Sequence, residues 1–360
     1  MPDNKVRALV AMSGGVDSAV AAHLMQREGY SVTGVTMRLF CDGDPIPKRD
    51  GECEGDTPDI YGARAVAARL QIPHLVCPLE HTFYCQVVDD FMRVYLDGGT
   101  PNPCVTCNKT IKFGALVAFA DAHGLDVVAT GHYARIRRDG NGNAVVLRAK
   151  DEKKDQSYML WSLTQDVLGR VRFPLGELCK DEVRAIAASL GLENAHRRDS
   201  QDICFLPNGD YVDFICRYTA HTPAQGRFVD GDGNVLGEHT GMLHYTVGQR
   251  KGLGIALGRP AYVCAKDAST GDVVLGEDAD LFSHTLTANK VNWISGCAPD
   301  APVRVQAKIR YAHKAADATV RQIDEDRIRV EFDKPQRAIA RGQSVVLYDG
   351  DVLLGGGVIE

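Results

Sequence analysis

The stretch Ala11-Met12-Ser13-Gly14-Gly15-Val16-Asp17-Ser18 decides the fold of this chain. It follows an apolar run from Val6 to Val10, which is typical of a buried parallel strand. It precedes a segment with apolar side chains on one helical face, which ends near Gly29. A glycine-rich loop between a strand and a helix presents backbone N–H groups to an anion. The stretch matches neither GxxxxGK(S/T) nor GxGxxG, so it predicts a phosphate site of another kind.

The composition narrows the class of protein. The 360 residues are enough for two or three domains. A net charge of −6 gives no general support for nucleic-acid binding, so any such site must be a local basic patch. We find no secretory signal and no apolar run long enough for a membrane helix, and therefore expect no membrane association. Eleven cysteines in such a chain indicate a reducing compartment, which we expect to be the cytoplasm.

Strand and helix patterns alternate after the stretch that contains Asp17. The pattern predicts strands at 32–39, 74–76 and 126–130, and helices at 57–70, 80–96, 112–123 and 180–190. This alternation predicts an α/β fold with a doubly wound parallel sheet. Ligands bind at the carboxyl ends of such strands, where the stretch 11–18, Met37 and Gly131 all fall.

The composition changes after Phe205. Glycine becomes frequent, and from about residue 282 apolar and polar residues alternate with a period of two. We therefore predict three domains: the phosphate-loop domain at 1–206, a small central α+β domain at 207–280, and a C-terminal β-barrel at 281–360, with a sandwich as the alternative to the barrel.

Three cysteines could carry chemistry. Cys104 and Cys107 form a CxxC pair, which we expect in a loop after Pro103. Such a pair is a redox couple, a zinc half-site or an iron–sulfur half-site. Cys204 is the third, and the sequence alone does not bring it near Cys107. The other cysteines are expected to be buried apolar residues or free thiols: Cys41, Cys53, Cys77, Cys85, Cys179, Cys216, Cys264 and Cys297.

Further motifs resemble the tRNA-specific 2-thiouridylases, the MnmA/TrmU family. In order they are SGGVDS at 13–18, GGTPNP at 98–103, CN at 107–108, IKFG at 111–114, TGHY at 130–133, KDQSY at 154–158, ICF at 203–205, TVGQRKGLG at 246–254 and LGGG at 354–357. The likeness extends over nearly the whole chain. It identifies residues 1–206 as an ATP pyrophosphatase catalytic domain, whose loop resembles that of enzymes that transfer AMP and release pyrophosphate.

The resemblance implies a transferase that uses ATP and Mg²⁺ to modify tRNA. In this family the C2 oxygen of the wobble uridine is adenylated, and sulfur then displaces AMP. The sulfur comes from a donor protein such as a cysteine desulfurase or a sulfur relay protein. By resemblance Cys107 is the nucleophile and Cys204 carries the persulfide. The two then close a disulfide bond, which must later be reduced.

The chain departs from the family pattern at Cys104, where many relatives have an aspartate that is assigned acid–base work. CxxC together with Cys204 resembles the iron–sulfur-dependent tRNA thiolation enzymes. In those, three thiolates hold a 4Fe–4S cluster and leave one iron open for sulfide. Because of Cys104 we favour a cluster on Cys104, Cys107 and Cys204 over the route through a persulfide.

The resemblance also assigns binding residues. The assigned ATP contacts are Ala11, Met12, Ser13, Gly14, Gly15, Val16, Asp17, Ser18, Met37 and Gly131. The assigned tRNA contacts are Asn102, Pro103, Cys104, His132, Lys154, Asp155, Gln156, Arg310, Tyr311 and Gln343. Without the resemblance, Met37 would be interpreted as a core residue and His132 as a structural one.

Two other functions stay open. One is a different adenylating ligase with the same loop, which would not need Cys107 or Cys204. The other is a noncatalytic metal-containing RNA-binding protein, although a pure binder has no use for the loop at 13–18.

Overall fold

A computed structural model describes residues 5–41, 56–192, 203–206 and 209–360. The strands are β1 Arg7–Ala11, β2 Ser31–Arg38, β3 His74–Pro78, β4 Val127–Ala129, β5 Arg135–Arg138, β6 Ala144–Leu147, β7 Val171–Arg172, β8 Gly226–Val229, β9 Val235–His239, β10 Tyr262–Lys266, β11 Val273–Gly276, β12 Phe282–Trp293, β13 Val303–Lys308, β14 Ala316–Gln322, β15 Ile328–Arg337, β16 Ser344–Asp349 and β17 Val352–Ile359. The α-helices are α1 Val16–Arg27, α2 Pro58–Leu70, α3 Glu80–Phe83, α4 Asp89–Leu96, α5 Pro103–Cys107, α6 Leu116–Ala122, α7 Gln165–Arg170, α8 Lys180–Ser189 and α9 Tyr211–Thr219. None of the helices in these ranges has the length and apolarity needed to cross a membrane.

A five-stranded parallel sheet organises the first half of the chain, in the order β3-β2-β1-β4-β7. Neighbouring residues of β1 face opposite sides of it. Ala8 and Val10 pack into a core with α1, α2 and α8, whereas Leu9 packs into a second core with α4, α6 and α9. Because helices cover both faces, the predicted doubly wound sheet is confirmed.

A closed antiparallel barrel organises the end of the chain. Its strands run β12-β15-β14-β13-β16-β17, and β12 pairs with β17 to close it. Inward side chains such as Val305, Ala307 and Val320 alternate with outward ones. The barrel prediction is therefore confirmed over the sandwich.

Two smaller sheet elements complete the structure. The sheet β10-β11-β8-β9 lies between the parallel sheet and the barrel in sequence. The hairpin β5–β6, which the sequence analysis did not predict, joins the barrel sheet where Leu147 pairs with Val352.

The domain boundaries at 206 and 280 stay a prediction. Helix α9, which follows residue 206, contributes Phe214 and Ile215 to the core of the parallel sheet.

The barrel also holds the loop at 97–101. Arg341 Nη2 donates to Asp97 Oδ2 at 2.9 Å, and Gln343 Nε2 donates to the carbonyl oxygens of Thr100 and Pro101, each at 3.1 Å. Gly342 has a φ of +87°, and a Cβ there would lie 3.0 Å from the Thr100 carbonyl oxygen. The barrel thus fixes the segment that leads directly into α5.

Two expectations about cysteines are wrong. Cys104 and Cys107 do not lie in a loop, because Pro103 opens α5, and a proline is well tolerated at the first helical position. A π-helical segment, Asn108–Ala115, then continues this helix into α6. Cys41 is buried, as expected, but it is disulfide-bonded and not a free thiol.

Candidate active site

A pocket of about 460 Å³ opens at the carboxyl ends of three central strands. Ala11 and Met12 reach it from the end of β1, Met37 from the end of β2, and Gly131 and His132 from the segment after β4. This is the edge at which parallel sheets bind ligands. The position agrees with the expectation from the sequence.

The loop after β1 lies between this pocket and a second cavity. Ala11, Met12, Ser13, Asp17 and Ser18 line the pocket. Gly14, Gly15 and Val16 line the neighbouring cavity instead. The loop therefore offers only part of the predicted ATP contacts to the pocket.

Gly131 allows the segment after β4 to approach the loop closely. A Cβ at Gly131 would lie 3.0 Å from the Asp17 carbonyl carbon and 3.1 Å from the Ser18 nitrogen. Backbone atoms cannot move aside cheaply, so this position requires glycine. Among the residues that the structure describes, no side chain caps α1 at Gly15, so the first N–H groups of this helix can bind an anion.

Asp17 is held by two residues that sequence reasoning missed. Lys180 Nζ donates to both carboxylate oxygens, at 2.7 and 2.9 Å, and the Tyr133 hydroxyl donates to Oδ1 at 2.8 Å. Lys180 is buried at the first position of α8. The sequence did hold one signal for Lys180: it is a lysine at the start of a predicted helix, where the helix dipole disfavours a positive charge.

Cys104, Cys107 and Cys204 all line the pocket, so the structure brings together the three cysteines that the sequence could not connect. All three are free thiols. Burial raises the pKa of each thiol, that of Cys204 to about 12, while the positive charge of Lys112 acts in the opposite direction. The Cys204 side chain is exposed toward the pocket, yet the surrounding protein still disfavours its thiolate.

The cluster on Cys104, Cys107 and Cys204 that we favoured from the sequence stays a prediction. Among the described residues, no three side chains of the His, Cys, Asp and Glu types are grouped closely enough to hold a single metal ion. The cysteine sulfurs of a 4Fe–4S cluster lie farther apart than the ligands of a single ion, so this observation does not test the cluster. We derive no step through it.

Four of the residues assigned to tRNA line the same pocket: Pro103, Cys104, His132 and Gln156. His132 is buried, with Nδ1 2.7 Å from Thr130 Oγ1. Burial first, and then the charge of Lys112, lower its pKa well below the usual range, so the ring is neutral at physiological pH. A neutral imidazole beside the cysteines can donate or accept one hydrogen bond on its second nitrogen.

Three more assigned residues surround Tyr158, next to the cysteines. Asn102 lies near the Tyr158 hydroxyl, which donates to the Ser344 carbonyl oxygen at 2.8 Å, and the ring of Tyr311 lies 6.0 Å from the Tyr158 ring, centroid to centroid. Arg310 donates to the Ala338 carbonyl oxygen at 2.5 Å and is half-buried. Tyr311 is 40% exposed and lies within electrostatic reach of Cys104.

The last three assigned residues lie away from the pocket surface. The buried Asp155 accepts hydrogen bonds from the Ala149 and Ser157 backbone and from the Ser157 hydroxyl. Gln343 faces the loop at 97–101, and Lys154 is half-buried beside Asp155. Asp155 and Gln343 therefore already have hydrogen-bond partners within the protein.

Comparison with known proteins covers the chain in three parts. Residues 6–208 match the sequence model described as "tRNA methyl transferase HUP domain". Residues 212–277 match "tRNA methyl transferase PRC-barrel domain", and 283–359 match "Aminomethyltransferase beta-barrel domain".

Curated relatives match over almost the full length. A protein of Clostridium acetobutylicum named "tRNA-specific 2-thiouridylase MnmA" is 46% identical over 354 residues, which is 98% of this chain and 99% of the relative. Proteins of the same name from Clostridioides difficile and Acetivibrio thermocellus are 45% identical over 355 residues and 46% identical over 360 residues. The match to the Clostridioides difficile protein covers 98% of this chain and 98% of the relative. The match to the Acetivibrio thermocellus protein covers 99% of this chain and 100% of the relative. The similarity therefore includes all three sheets as well as the phosphate loop.

Proposed function

The chain belongs to the MnmA family of tRNA-specific 2-thiouridylases, and from this we propose that it is a tRNA-uridine 2-sulfurtransferase that replaces the C2 oxygen of the wobble uridine with sulfur. One observation carries the proposal. A single pocket is lined both by residues of the phosphate loop and by Cys104, Cys107 and Cys204. Activation by ATP and attack by sulfur can therefore act on one base.

ATP binds with its phosphates toward Ser13, Ser18 and the start of α1. Backbone N–H groups and the helix dipole attract the phosphates there. The carboxylates of Asp17 and Asp59 line the same pocket and supply the oxygen ligands that Mg²⁺ prefers. When bound, Mg²⁺ neutralises phosphate charge, while Lys180 and Tyr133 fix the orientation of the Asp17 carboxylate.

Adenylation makes the uridine oxygen a leaving group. The C2 oxygen attacks the α-phosphorus, pyrophosphate departs, and the N3 proton of the base is lost. The terminal sulfur of a Cys204 persulfide then attacks C2, and the C2–O bond breaks as AMP leaves. The Cys107 sulfur then attacks the Cys204 sulfur, and its proton passes to the departing thiouridine, where it restores the N3 proton; a Cys107–Cys204 disulfide remains.

The electrons balance in this route. The persulfide brings sulfane sulfur, which is reduced as it becomes the thione, while two thiols are oxidised to the disulfide. A cellular reductant must reopen the disulfide, so we place the protein in the reducing cytoplasm. Burial keeps the Cys104 thiol protonated, so it supplies a hydrogen-bond donor where many relatives have an aspartate.

The RNA reaches the pocket with the target base unstacked. Chemistry on a base requires that it leave its stack, and aromatic side chains commonly support extruded bases. Tyr311 is the exposed ring of the Tyr158–Tyr311 pair. Arg310, His132 and Gln156 then form polar contacts to the RNA around it.

The test is thiolation of an unmodified tRNA transcript by anaerobically purified protein. Iron and sulfide contents are measured first, and ATP is supplied with either a persulfide donor or free sulfide. We expect iron-free protein to form 2-thiouridine with the persulfide donor and to release AMP and pyrophosphate in equal amounts. Thiolation that depends on about four bound irons and on free sulfide would contradict the route through a Cys204 persulfide.

The same assay separates the two other functions. A ligase of a different kind would keep its activity in Cys107→Ser and Cys204→Ser, whereas we expect both variants to lose thiolation. A noncatalytic RNA-binding protein would bind tRNA without releasing pyrophosphate.

A further inference from the structure

The pocket has one positively charged side chain among the residues that the structure describes. Of the Lys and Arg residues, only Lys112 is part of its described lining. Its half-buried side chain makes no hydrogen bond or ion pair with any described residue. By contrast, Lys180 lies beside the phosphate loop with its ammonium bound to Asp17. The charge of Lys112 is therefore available to a ligand.

A change in helix type brings Lys112 toward the cysteines. In a regular α-helix, residues five apart differ in direction by about 140°, because each residue turns about 100°. The segment Asn108–Ala115 is instead π-helical, and its i→i+5 hydrogen bonds widen each turn, so residues five apart differ less in direction than in an α-helix. Cys107 immediately precedes this segment, and Lys112 lies within it, five residues after Cys107. Single π-helical turns of this kind occur frequently at functional sites.

Lys112 lines the same pocket as the three cysteines and His132. Its charge acts on the thiols of Cys104, Cys107 and Cys204 and on the His132 ring. His132 directly follows Gly131, whose backbone touches the phosphate loop. A group that connects a nucleotide on the loop with a base at the cysteines lies in the pocket that Lys112 also lines.

The α-phosphate is that connecting group in the proposed reaction. After adenylation it is bonded both to the nucleoside and to the C2 oxygen of uridine. The stretch 13–18 contains no Lys or Arg. When sulfur attacks, the C2–O bond breaks and its electron pair leaves on the phosphate oxygen, so AMP gains negative charge at this point.

We propose that Lys112 is a catalytic residue whose ammonium contacts the α-phosphate of the adenylated uridine and stabilises the charge that develops as AMP departs. This inference rests on the proposed function and adds the residue that assists the second step. The ammonium neutralises charge on AMP and transfers no proton to AMP. An oriented charge in a pocket that excludes water is worth about 10²–10³-fold in rate.

The experiment measures the two steps separately in one turnover. The tRNA transcript, a persulfide donor and ATP labelled in the α-phosphate are mixed with wild type, Lys112→Met or Lys112→Arg. Pyrophosphate release reports adenylation, 2-thiouridine reports sulfur transfer, and label bound to RNA reports the intermediate. Lys109→Met is the matched control, because Lys109 lies in the same π-helical segment but is exposed and does not line the pocket.

We expect Lys112→Met to slow 2-thiouridine formation about 10²–10³-fold, to slow pyrophosphate release much less, and to accumulate labelled RNA. Lys112→Arg keeps the charge and should recover most of the rate, and Lys109→Met should match wild type. Thiolation by Lys112→Met at the wild-type rate would overturn the inference, as would equal losses in both steps without labelled RNA. Failure of the wild type to thiolate would instead contradict the proposed function.

Discussion

The ammonium of Lys180 contacts both carboxylate oxygens of Asp17, at 2.7 and 2.9 Å, and so ties the first turn of α8 to the phosphate loop. The two residues are 163 positions apart in sequence. The Tyr133 hydroxyl adds a third hydrogen bond to the same carboxylate. Asp17 therefore has a fixed orientation before any ligand binds, and its side chain remains 31% exposed toward the pocket.

We expect Asp17→Asn to reduce pyrophosphate release at least about 10²-fold, because the amide keeps the shape but removes the charge that a magnesium ion would contact. Release is measured with a coupled phosphate assay in the presence of tRNA. Asp181→Asn is the control, because Asp181 is close in sequence to Lys180 but its side chain is 96% exposed. Full pyrophosphate release by Asp17→Asn would remove Asp17 from the ATP site.

Lys180→Met should destabilise the protein by about 1–3 kcal/mol. Breaking a fully buried ion pair costs about 3–5 kcal/mol, and the exposed part of Asp17 reduces that cost. The measurement is the free energy of unfolding from urea denaturation. The double variant Lys180→Met/Asp17→Asn should be more stable than Lys180→Met, since it leaves no uncompensated carboxylate. A double variant that is no more stable would show that the two side chains are not coupled.

Cys107→Ser and Cys204→Ser should each abolish thiolation while pyrophosphate release continues, since both residues act after adenylation in the proposed route. Cys104→Ala should keep measurable thiolation, because Cys104 carries no sulfur in that route. Mass spectrometry of the RNA measures 2-thiouridine, and thiolation by Cys204→Ser would contradict the assignment of the persulfide to Cys204.

The Cys204 thiol should react with iodoacetamide more slowly in the folded protein than in the denatured chain. Burial raises its pKa to about 12, whereas an ordinary cysteine has a pKa of about 8.5, and only the thiolate reacts. Between about pH 8 and 11 the folded-state rate should therefore keep rising, while the rate in denaturant levels off. Labelling of the Cys204 peptide is followed by mass spectrometry, and a folded-state rate that levels off near pH 9 would contradict this prediction.

Arg310→Ala should weaken tRNA binding and lower the slope of log affinity against log salt by about 1, as expected when one phosphate contact is lost. Arg304→Ala is the control, because Arg304 is exposed on the same barrel and already paired with Asp333 at 2.7 Å. Filter binding at several salt concentrations measures both. An unchanged slope for Arg310→Ala would exclude a phosphate contact at Arg310.

The sequence predicts the parallel sheet well because its strands are short, apolar and separated by helical patterns. β1, observed as Arg7–Ala11, starts and ends one residue later than predicted, and β2 is observed as Ser31–Arg38 against a prediction of 32–39. The glycine at 131 was expected at a strand end, and the structure adds the backbone approach that requires it. Local pattern and turn chemistry are sufficient for these features.

Other features depend on contacts that are distant in sequence. Neither the pairing of Lys180 with Asp17 nor the addition of β5–β6 to the barrel leaves a local pattern. The helix that carries Cys104 and Cys107 was missed because proline and glycine before it indicated a loop. The π-helical segment that follows has no sequence signature of its own.

The contacts that Arg341 and Gln343 make with the loop at 97–101 have a consequence for how the protein matures during translation. A ribosome releases the α/β segment long before it adds residues 341–343, and domains generally fold as their chain emerges. The loop before Cys104 can be fixed only once those later residues have been added and the barrel has formed. A nascent or truncated chain that lacks residues 341–343 therefore carries Cys104 and Cys107 on a helix whose preceding loop is not yet held by these hydrogen bonds.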